Sequence, residues 1–310
     1  MKWFNRPKKE PGWLVIEVED DRISLVHGRF GVSGRAEVLQ YAVHPLDADI
    51  ALERIAKDFE LKGYKCATLL KPKDYQLLLV DAPNVPRGEL KTAIRWRIKD
   101  LLDYHVDDAT VDVLDILAPK DAPPRNHTMY AVAARNEVIQ SCVKRFDEAK
   151  VPLSVIDIPE TAQRNIAALY EDPGRGLAML HFGDAGGLLT VNYQSELFLA
   201  RRLDISAAEF AGVAPEQRQE LFARIELELQ RTFDHFERQF TWIALSRLLL
   251  GPEPVASGLS AYLADALELP VQQVDLQERL ELPEGGMSPD LQSSLFYLVG
   301  GALRNETAVL

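Results

Sequence analysis

The chain has 310 residues, of which 47% are hydrophobic and 26% are charged. This is the composition of an ordinary globular protein, and the length suits two folded units better than one core. The formal net charge of -12 gives an acidic surface that repels a phosphate backbone, so we expect no nucleic-acid partner.

Cysteine usage and hydropathy indicate where the protein works. Cys66 and Cys142 lie in apolar runs and provide neither a disulfide framework nor a cysteine zinc site, which favours a reducing compartment. No stretch reaches about 18 uninterrupted apolar residues, the length that a transmembrane helix needs. We therefore predict a cytoplasmic protein.

The first nine residues, 1–9, form a basic tail without the apolar segment of a signal peptide. The tail holds Trp3 and Phe4 beside four cations. Two interpretations stay open: a flexible, solvated terminus, or a weak contact with an anionic membrane surface or a partner.

The first half of the chain begins with the pattern of a β-meander. Alternating apolar and polar residues predict two strands over 13–26, joined by a turn at Asp20 and Asp21, and a third strand over 36–43. Beyond them the pattern predicts a helix capped by Asp47, two strands over 64–70 and 75–81, and a helix over 87–102. A strand over 111–117, a loop over 120–126 and a strand over 129–134 follow. The predicted elements then continue with a helix over 137–149, a strand over 153–158 and a helix over 160–170.

The opening pattern returns halfway along the chain. Three predicted strands over 177–182, 188–193 and 196–203 are joined by turns at 183–187 and 194–195, which indicates an internal duplication. The longest apolar stripe then predicts a helix over 215–250, with a break near 239–242 and a strand beginning at 248–250. A helix over 260–267, a strand over 271–274 and a last helix over 289–304 follow.

Five segments together resemble a known family in their order and spacing. They are residues 77–116, 151–169, 228–240, 258–275 and 295–304. They are similar to PilM-like proteins, the actin-like proteins of type IV pilus assembly, and most of all to the MSHA-type (agglutinin biogenesis) branch of that family, MshI.

The resemblance implies an α/β protein with a duplicated actin-like ATPase (ribonuclease H-like) fold, built of two lobes with an interlobe cleft. It implies a first lobe over 10–170, with a PilM-type subdomain inserted at about 45–158. The second lobe then covers 171–310 and includes a helical subdomain at about 206–250.

In such a fold, two hairpin turns hold the phosphates of ATP. Each turn usually has an Asp that holds magnesium-bound water and a Gly that lets backbone N–H groups approach the phosphate. In the first turn the resemblance puts that Asp at Glu17 and that Gly at Glu19, and Asp20 and Asp21 follow. Each carboxylate repels a phosphate charge about 4 Å away by roughly 1 to 4 kcal/mol, which magnesium offsets in part. If the turn does not hold a phosphate, two interpretations stay open: a solvated loop, or a site that binds a cation.

The second turn keeps its glycines. Gly183, Gly186 and Gly187 either contact phosphate or only form the turn. The resemblance puts the Asp position at His181, a poor ligand for magnesium, and Asp184 is the available substitute.

A third, glycine-rich loop of the family corresponds here to residues 251–257. Two prolines and Glu253 stand in this segment, so donors are lost and negative charge is added. Because all three loops depart from the family pattern, we expect no tightly bound cofactor, and ATP with magnesium is the alternative.

Other catalytic and metal-binding patterns are missing from the sequence. None of the six histidines is paired at metal-ligand spacing, and there is no nucleophile elbow, Walker A motif or C-x-x-C motif. We therefore predict no catalytic residue and no metal site.

Three functions remain as hypotheses. The resemblance implies a scaffold, held at the inner membrane by its partner, that binds the cytoplasmic N-terminal segment of a bitopic PilN/MshJ-like protein beside the pilus assembly ATPase complex. We expect that segment to dock as an extended peptide in a groove built by residues 60–160. The alternatives are an ATPase that switches partner affinity and a protein that assembles into filaments.

Overall fold

The structure, a computed structural model, describes residues 12–31, 34–46, 52–116, 127–206, 215–253 and 257–305, together with residue 209. The basic tail, the helix cap predicted at Asp47 and the loop predicted over 120–126 lie outside the described residues.

The first sheet is built on the predicted meander. Strands β1 (Trp13–Val18), β2 (Arg22–Phe30) and β3 (Ala36–Pro45) pair antiparallel, and β4 (Lys65–Leu69) and β8 (Leu153–Asp157) continue the sheet in parallel beyond β1. The resulting strand order is β3-β2-β1-β4-β8. A two-residue strand from the end of the chain, β14 (Leu280–Glu281), extends the sheet beyond β3.

The second sheet repeats this arrangement. Strands β9 (Gly176–Gly183), β10 (Gly186–Tyr193) and β11 (Glu196–Leu203) form the meander, and β12 (Leu245–Leu250) and β13 (Val271–Gln273) add in parallel. The strand order is β11-β10-β9-β12-β13. If the five main strands of each sheet are numbered along the chain, both sheets have the order third, second, first, fourth, fifth. This confirms the duplication and the two-lobed α/β fold.

A third, smaller sheet is inserted between β4 and β8. It contains β5 (Tyr75–Asp81), β6 (Ala109–Asp115) and β7 (Thr128–Arg135) in the order β5-β7-β6, and helix α2 (Leu90–Ile98) buries its two isoleucines against one face. The neighbouring strands predicted over 64–70 and 75–81 therefore belong to different sheets. We call residues 75–135 the inserted subdomain.

The remaining helices connect the strands or cover the sheets. They are α1 (Leu52–Asp58), α3 (Asn136–Glu148), α4 (Pro159–Ala167), α5 (Pro215–Gln239), α6 (Leu259–Ala266), α7 (Pro289–Ser294) and α8 (Phe296–Ala302).

Two predicted helices were too long. The break expected near 239–242 is present, but the helix does not resume: α5 ends at Gln239, and Leu245–Leu250 is the strand β12. A strand of a parallel sheet that is buried on both faces is a continuous apolar run, which looks like the continuation of an apolar helix. The last helix, predicted over 289–304, is divided at Leu295 into α7 and α8.

Helices α4 and α8 join the two halves of the fold. Helix α4 follows the first sheet but packs on the strands of the second, whereas α8 packs on β1, β2 and β4 of the first. The two helices contact each other where Gly300 faces the Ala162 carbonyl, and a Cβ at position 300 would lie 2.1 Å from that oxygen. Asn165 Nδ2 donates to the Gly300 carbonyl at 2.9 Å. The contact therefore has no room for a side chain on α8.

We expect Gly300→Ala to destabilise the protein. The added methyl group forces α4 and α8 apart at a cost of about 1 to 3 kcal/mol, which opposes and exceeds the roughly 1 kcal/mol that alanine gains in helix propensity. Urea unfolding measures the change in the free energy of unfolding. Gly88→Ala, where a Cβ meets nothing within 4 Å, is the control. Equal stability of the two variants would contradict the proposed close contact.

Candidate functional site

The first hairpin tip carries the acidic residues that were expected to face a phosphate. Glu17 lies near the end of β1, and Glu19 and Asp20 form the turn into β2. Arg22, the first residue of β2, directs its guanidinium back to this turn, and its Nε donates to the Glu19 carboxylate. The negative charge of the turn is thus partly offset by a cation that the sequence analysis did not use.

The second hairpin tip is a tight turn between β9 and β10. Gly183 pairs with Gly186, and Asp184 is exposed in the turn between them. Gly186 has a φ of 109°, and a Cβ there would lie 2.7 Å from the Leu203 carbonyl oxygen. A Cβ at Gly187 would lie 2.7 Å from the Phe182 ring. Turn geometry and strand packing are therefore sufficient reasons for glycine at 186 and 187.

The two tips meet through Arg22. Its Nη2 lies 2.9 Å from Asp184 Oδ2, while its Nε binds Glu19. A single guanidinium therefore bridges the position where each half of an actin-like ATPase would present a phosphate loop.

The surroundings of Glu17 at the first hairpin tip disfavour its ionised form. Its pKa is raised to about 7, chiefly by burial and then by the nearby carboxylates of Glu19 and Asp184, against the opposing effects of Arg22 and Lys71. An added phosphate would increase the negative potential that already disfavours its ionised form.

His181 does not face the cleft as a ligand. Its side chain is 2% exposed, and its ring stacks on Phe296 at 4.1 Å and meets Tyr297 edge-on at 5.2 Å. On its other side it contacts Gly251, where a Cβ would lie 2.4 Å from the imidazole Nδ1. Burial lowers the pKa of His181 to about 3, so the ring is neutral and forms part of the core.

These residues do not fit a magnesium nucleotide. The first tip is acidic, its arginine is already bound to two carboxylates, and the position expected for a magnesium-water ligand is a buried imidazole. Within the described ranges, no group of three or more His, Cys, Asp or Glu side chains is placed to hold a metal ion. Of the third loop, residues 254–256 lie outside the description.

The sequence analysis missed an ion pair between the halves, formed by a buried carboxylate and a partly exposed arginine. Glu160, in the first turn of α4, is 2% exposed and binds Arg202 of β11 at 2.6 Å. Tyr75 of the inserted subdomain donates to the same carboxylate and accepts from Arg202 at 2.6 Å. The three residues are far apart in sequence and form no motif, so only the fold brings them together.

A groove runs along the first lobe, between the ends of β1 and β4 and one side of α3. Its volume is about 360 Å³. Apolar walls from Val18, Leu69 and Phe146 alternate with charged groups, among them Glu17, Lys71, Asp74 and Arg145. A lining that combines apolar side chains with charges of both signs suits an extended peptide.

Comparison with known proteins identifies the fold. No family model matches the chain, and neither does any curated protein. Among solved structures, the PilM–PilN type IV pilus biogenesis complex contains a chain with a TM-score of 0.72 and 18% identity, over 94% of this chain and 98% of that one.

Two further structures are more distant. The cytoplasmic domain of EpsL, an inner-membrane component of the type II secretion system of Vibrio cholerae, has a TM-score of 0.48 and 14% identity, over 94% of this chain and 93% of that one. A protein with an actin-like ATPase fold from Bacteroides thetaiotaomicron has a TM-score of 0.49 and 10% identity, over 94% and 98%.

The protein therefore has the duplicated actin-like ATPase fold. Its chain path resembles that of the matched chain of the PilM–PilN complex over 94% of this chain. In the described part of the chain, no helix combines the length and apolarity that crossing a bilayer requires.

We expect His181→Phe to reduce the loss of stability in acid. Below about pH 6.5 the unfolded chain protonates His181, whereas the folded chain does so only near its pKa of about 3, so stability falls with falling pH through this window. Phenylalanine retains the ring stack and removes a slope of at most about 1.4 kcal/mol per pH unit. The measurement is urea unfolding of both proteins from pH 7.5 to 4.

At pH 7 and above, both side chains are uncharged, so the difference in stability between the two proteins should not vary there. Parallel stability curves through the acid range would show that His181 is not buried in its neutral form.

Proposed function

We propose that this chain is a scaffold of a type IV pilus assembly platform, of the MSHA type, that binds the cytoplasmic N-terminal segment of a PilN/MshJ-like inner-membrane protein. The observation that carries the proposal is the likeness to the PilM chain of a PilM–PilN complex over 94% of this chain. On this proposal the protein is cytoplasmic, is held at the inner membrane by its partner, and works beside the pilus assembly ATPase complex.

The first-lobe groove is the proposed docking place. It lies mostly within the 60–160 region that the sequence analysis assigned to the partner, and it is open along α3. Lys71 and Arg145 suit carboxylates of a bound segment, whereas Glu17 and Asp74 suit its cations. The apolar side chains between these charges supply the buried contact area.

We expect a synthetic peptide of the partner's cytoplasmic segment to bind, and Ser141→Arg to weaken it at least tenfold. Ser141 is an exposed residue that lines the groove, so a long cation there fills the space that the peptide needs. Gln140→Arg adds the same side chain to an exposed position of α3 that does not line the groove, and should bind normally. Calorimetric titration measures both.

Two results would count against docking in this groove. One is no binding of the peptide by the unmodified chain at about 100 μM, a concentration at which a useful complex forms. The other is equal weakening by the two arginine variants, which would place the peptide elsewhere.

The second candidate function is an ATP-controlled switch. It is favoured by the two-lobed fold itself and by the glycines of the second hairpin. Against it stand the acidic first tip, the bridge from Arg22 to Asp184 and the buried His181. We infer that a nucleotide-free scaffold suits these residues better, with ATP and magnesium as the alternative ligand.

We expect Mg-ATP at about 1 mM to leave the melting temperature unchanged. A ligand at 100 times its Kd stabilises the folded chain by about 2.7 kcal/mol, a shift that thermal denaturation detects readily. Magnesium chloride alone is the control for ionic strength. A rise in melting temperature that is largest with Mg-ATP, smaller with Mg-ADP and smallest with Mg-AMP would establish a nucleotide site. That result would favour the switch.

A further inference from the structure

One helix face of the inserted subdomain is unlike the rest of the surface. Of the eight large apolar side chains that are exposed in the described part of the chain, Trp96 lies on α2 and Leu101 follows shortly after its end. Trp96 is 68% exposed and Leu101 is 55% exposed. Ile94 and Ile98 fix the buried side of α2, so Trp96 points away from the core.

Positive charge accompanies these apolar residues. Residues 87–99 contain five cations and one carboxylate, in a chain whose net charge is -12. Two of the cations are used internally: Lys91 binds Asp112 at 3.1 Å, and Arg95 binds the carbonyls of Val106 and Ala109. Among the described residues, Arg87, Arg97 and Lys99 form no ion pair with a carboxylate.

We name Trp96, Arg97, Lys99 and Leu101 the Trp96 face. Lys99 Nζ lies 5.6 Å from the centre of the Trp96 ring, so a cation and an indole are presented together. Asp100, Asp103 and Asp107 line the same hollow as Trp96 and Lys99. Arg135 and Arg95 offset Asp103 and Asp107 at 3.5 Å, which leaves Asp100 as the carboxylate that opposes Lys99.

From this geometry we infer that the Trp96 face contacts the anionic surface of a lipid bilayer. An indole flanked by Arg and Lys is the arrangement that lies at the headgroup level of a membrane, with the ring at the acyl boundary and the cations at the lipid phosphates. An acidic protein beside an anionic leaflet is repelled on average, so a face that presents cations without carboxylate partners beside an exposed indole is the one that turns toward the lipid. The inference rests on the proposed docking function, since that function places the chain beside a membrane.

The test uses the full chain and vesicles of phosphatidylcholine with and without about one third phosphatidylglycerol. We expect binding to the anionic vesicles alone. Each cation near the surface contributes about fivefold in affinity, so Arg97→Gln/Lys99→Gln should weaken binding by about 25-fold. Trp96→Ala should weaken it several-fold, and Asp100→Asn should strengthen it. Co-sedimentation measures all four proteins.

The matched control removes the same charge elsewhere. Arg231 and Arg238 of α5 are 61% and 80% exposed, and Arg231→Gln/Arg238→Gln should change vesicle binding less than twofold. In the tail, Trp3→Ala/Phe4→Ala should retain binding. A blue shift of tryptophan emission on the vesicles should vanish in Trp96→Phe. Three results would overturn the inference. They are no binding to the vesicles, an equal loss of vesicle binding in the α5 control, and a loss of vesicle binding in the tail variant alone.

Peptide titration separates this inference from the docking proposal. The Trp96-face variants should bind the partner peptide as the unmodified chain does, because none of these side chains lines the groove. If the vesicles bind and the peptide does not, the docking proposal fails and the membrane contact stands. If an acidic polypeptide such as polyglutamate binds through Trp96 while vesicles do not, the face serves a protein partner and the inference is wrong.

Discussion

The contact between α4 and α8 is the constraint on which the two-lobed structure depends. Each helix packs on the sheet of the opposite half, and they meet where Gly300 lies against the Ala162 carbonyl. Arg304, which follows α8, forms an ion pair with the buried Asp157 of the first half. The two sheets are therefore joined by a shared layer of helices and do not meet at a separable interface. This shared layer fixes the position of each hairpin tip relative to the other.

Buried polar contacts make this arrangement specific. Gln163 of α4 is completely buried and donates to the backbone carbonyls of Met179 and Leu188 in the second sheet. Glu160, Tyr75 and Arg202 add a charged connection between α4, the inserted subdomain and β11. Tyr130 completes it, because its hydroxyl bonds Phe198 and Ala200 at the edge strand β11. Breaking such a contact leaves a polar group unpaired in a dry interior, so the inserted subdomain and the second half are held in one relative position.

The same fixed geometry is the basis for our proposal that the interlobe cleft does not work as a nucleotide site. In this fold, closure around a nucleotide requires two phosphate loops that are free to receive it. Here the loops already meet through Arg22, and the residue behind the second loop is an imidazole enclosed by Phe296, Tyr297 and Gly251. The groove lies on the first lobe and reaches the first hairpin at Glu17, whereas the Trp96 face lies on the inserted subdomain. On the two proposals made above, a partner segment and a lipid surface would contact the protein without needing the cleft to open.

The sequence by itself determined the local elements and the duplication, because strand alternation, turn residues and helical periodicity depend on neighbours along the chain. It also located the two hairpin tips, the acidic Glu17 to Asp20 and the glycine-rich Gly183 to Gly187, of which the first has a composition that disfavours a triphosphate. Only the tertiary structure decided that Leu245–Leu250 is a strand, because its apolar run suits a buried strand or a helix equally until β9 lies beside it. Only the fold brought Arg22 to Asp184, His181 to Phe296, and Glu160 to Arg202, because these pairs are separated by long stretches of chain and no local pattern encodes them.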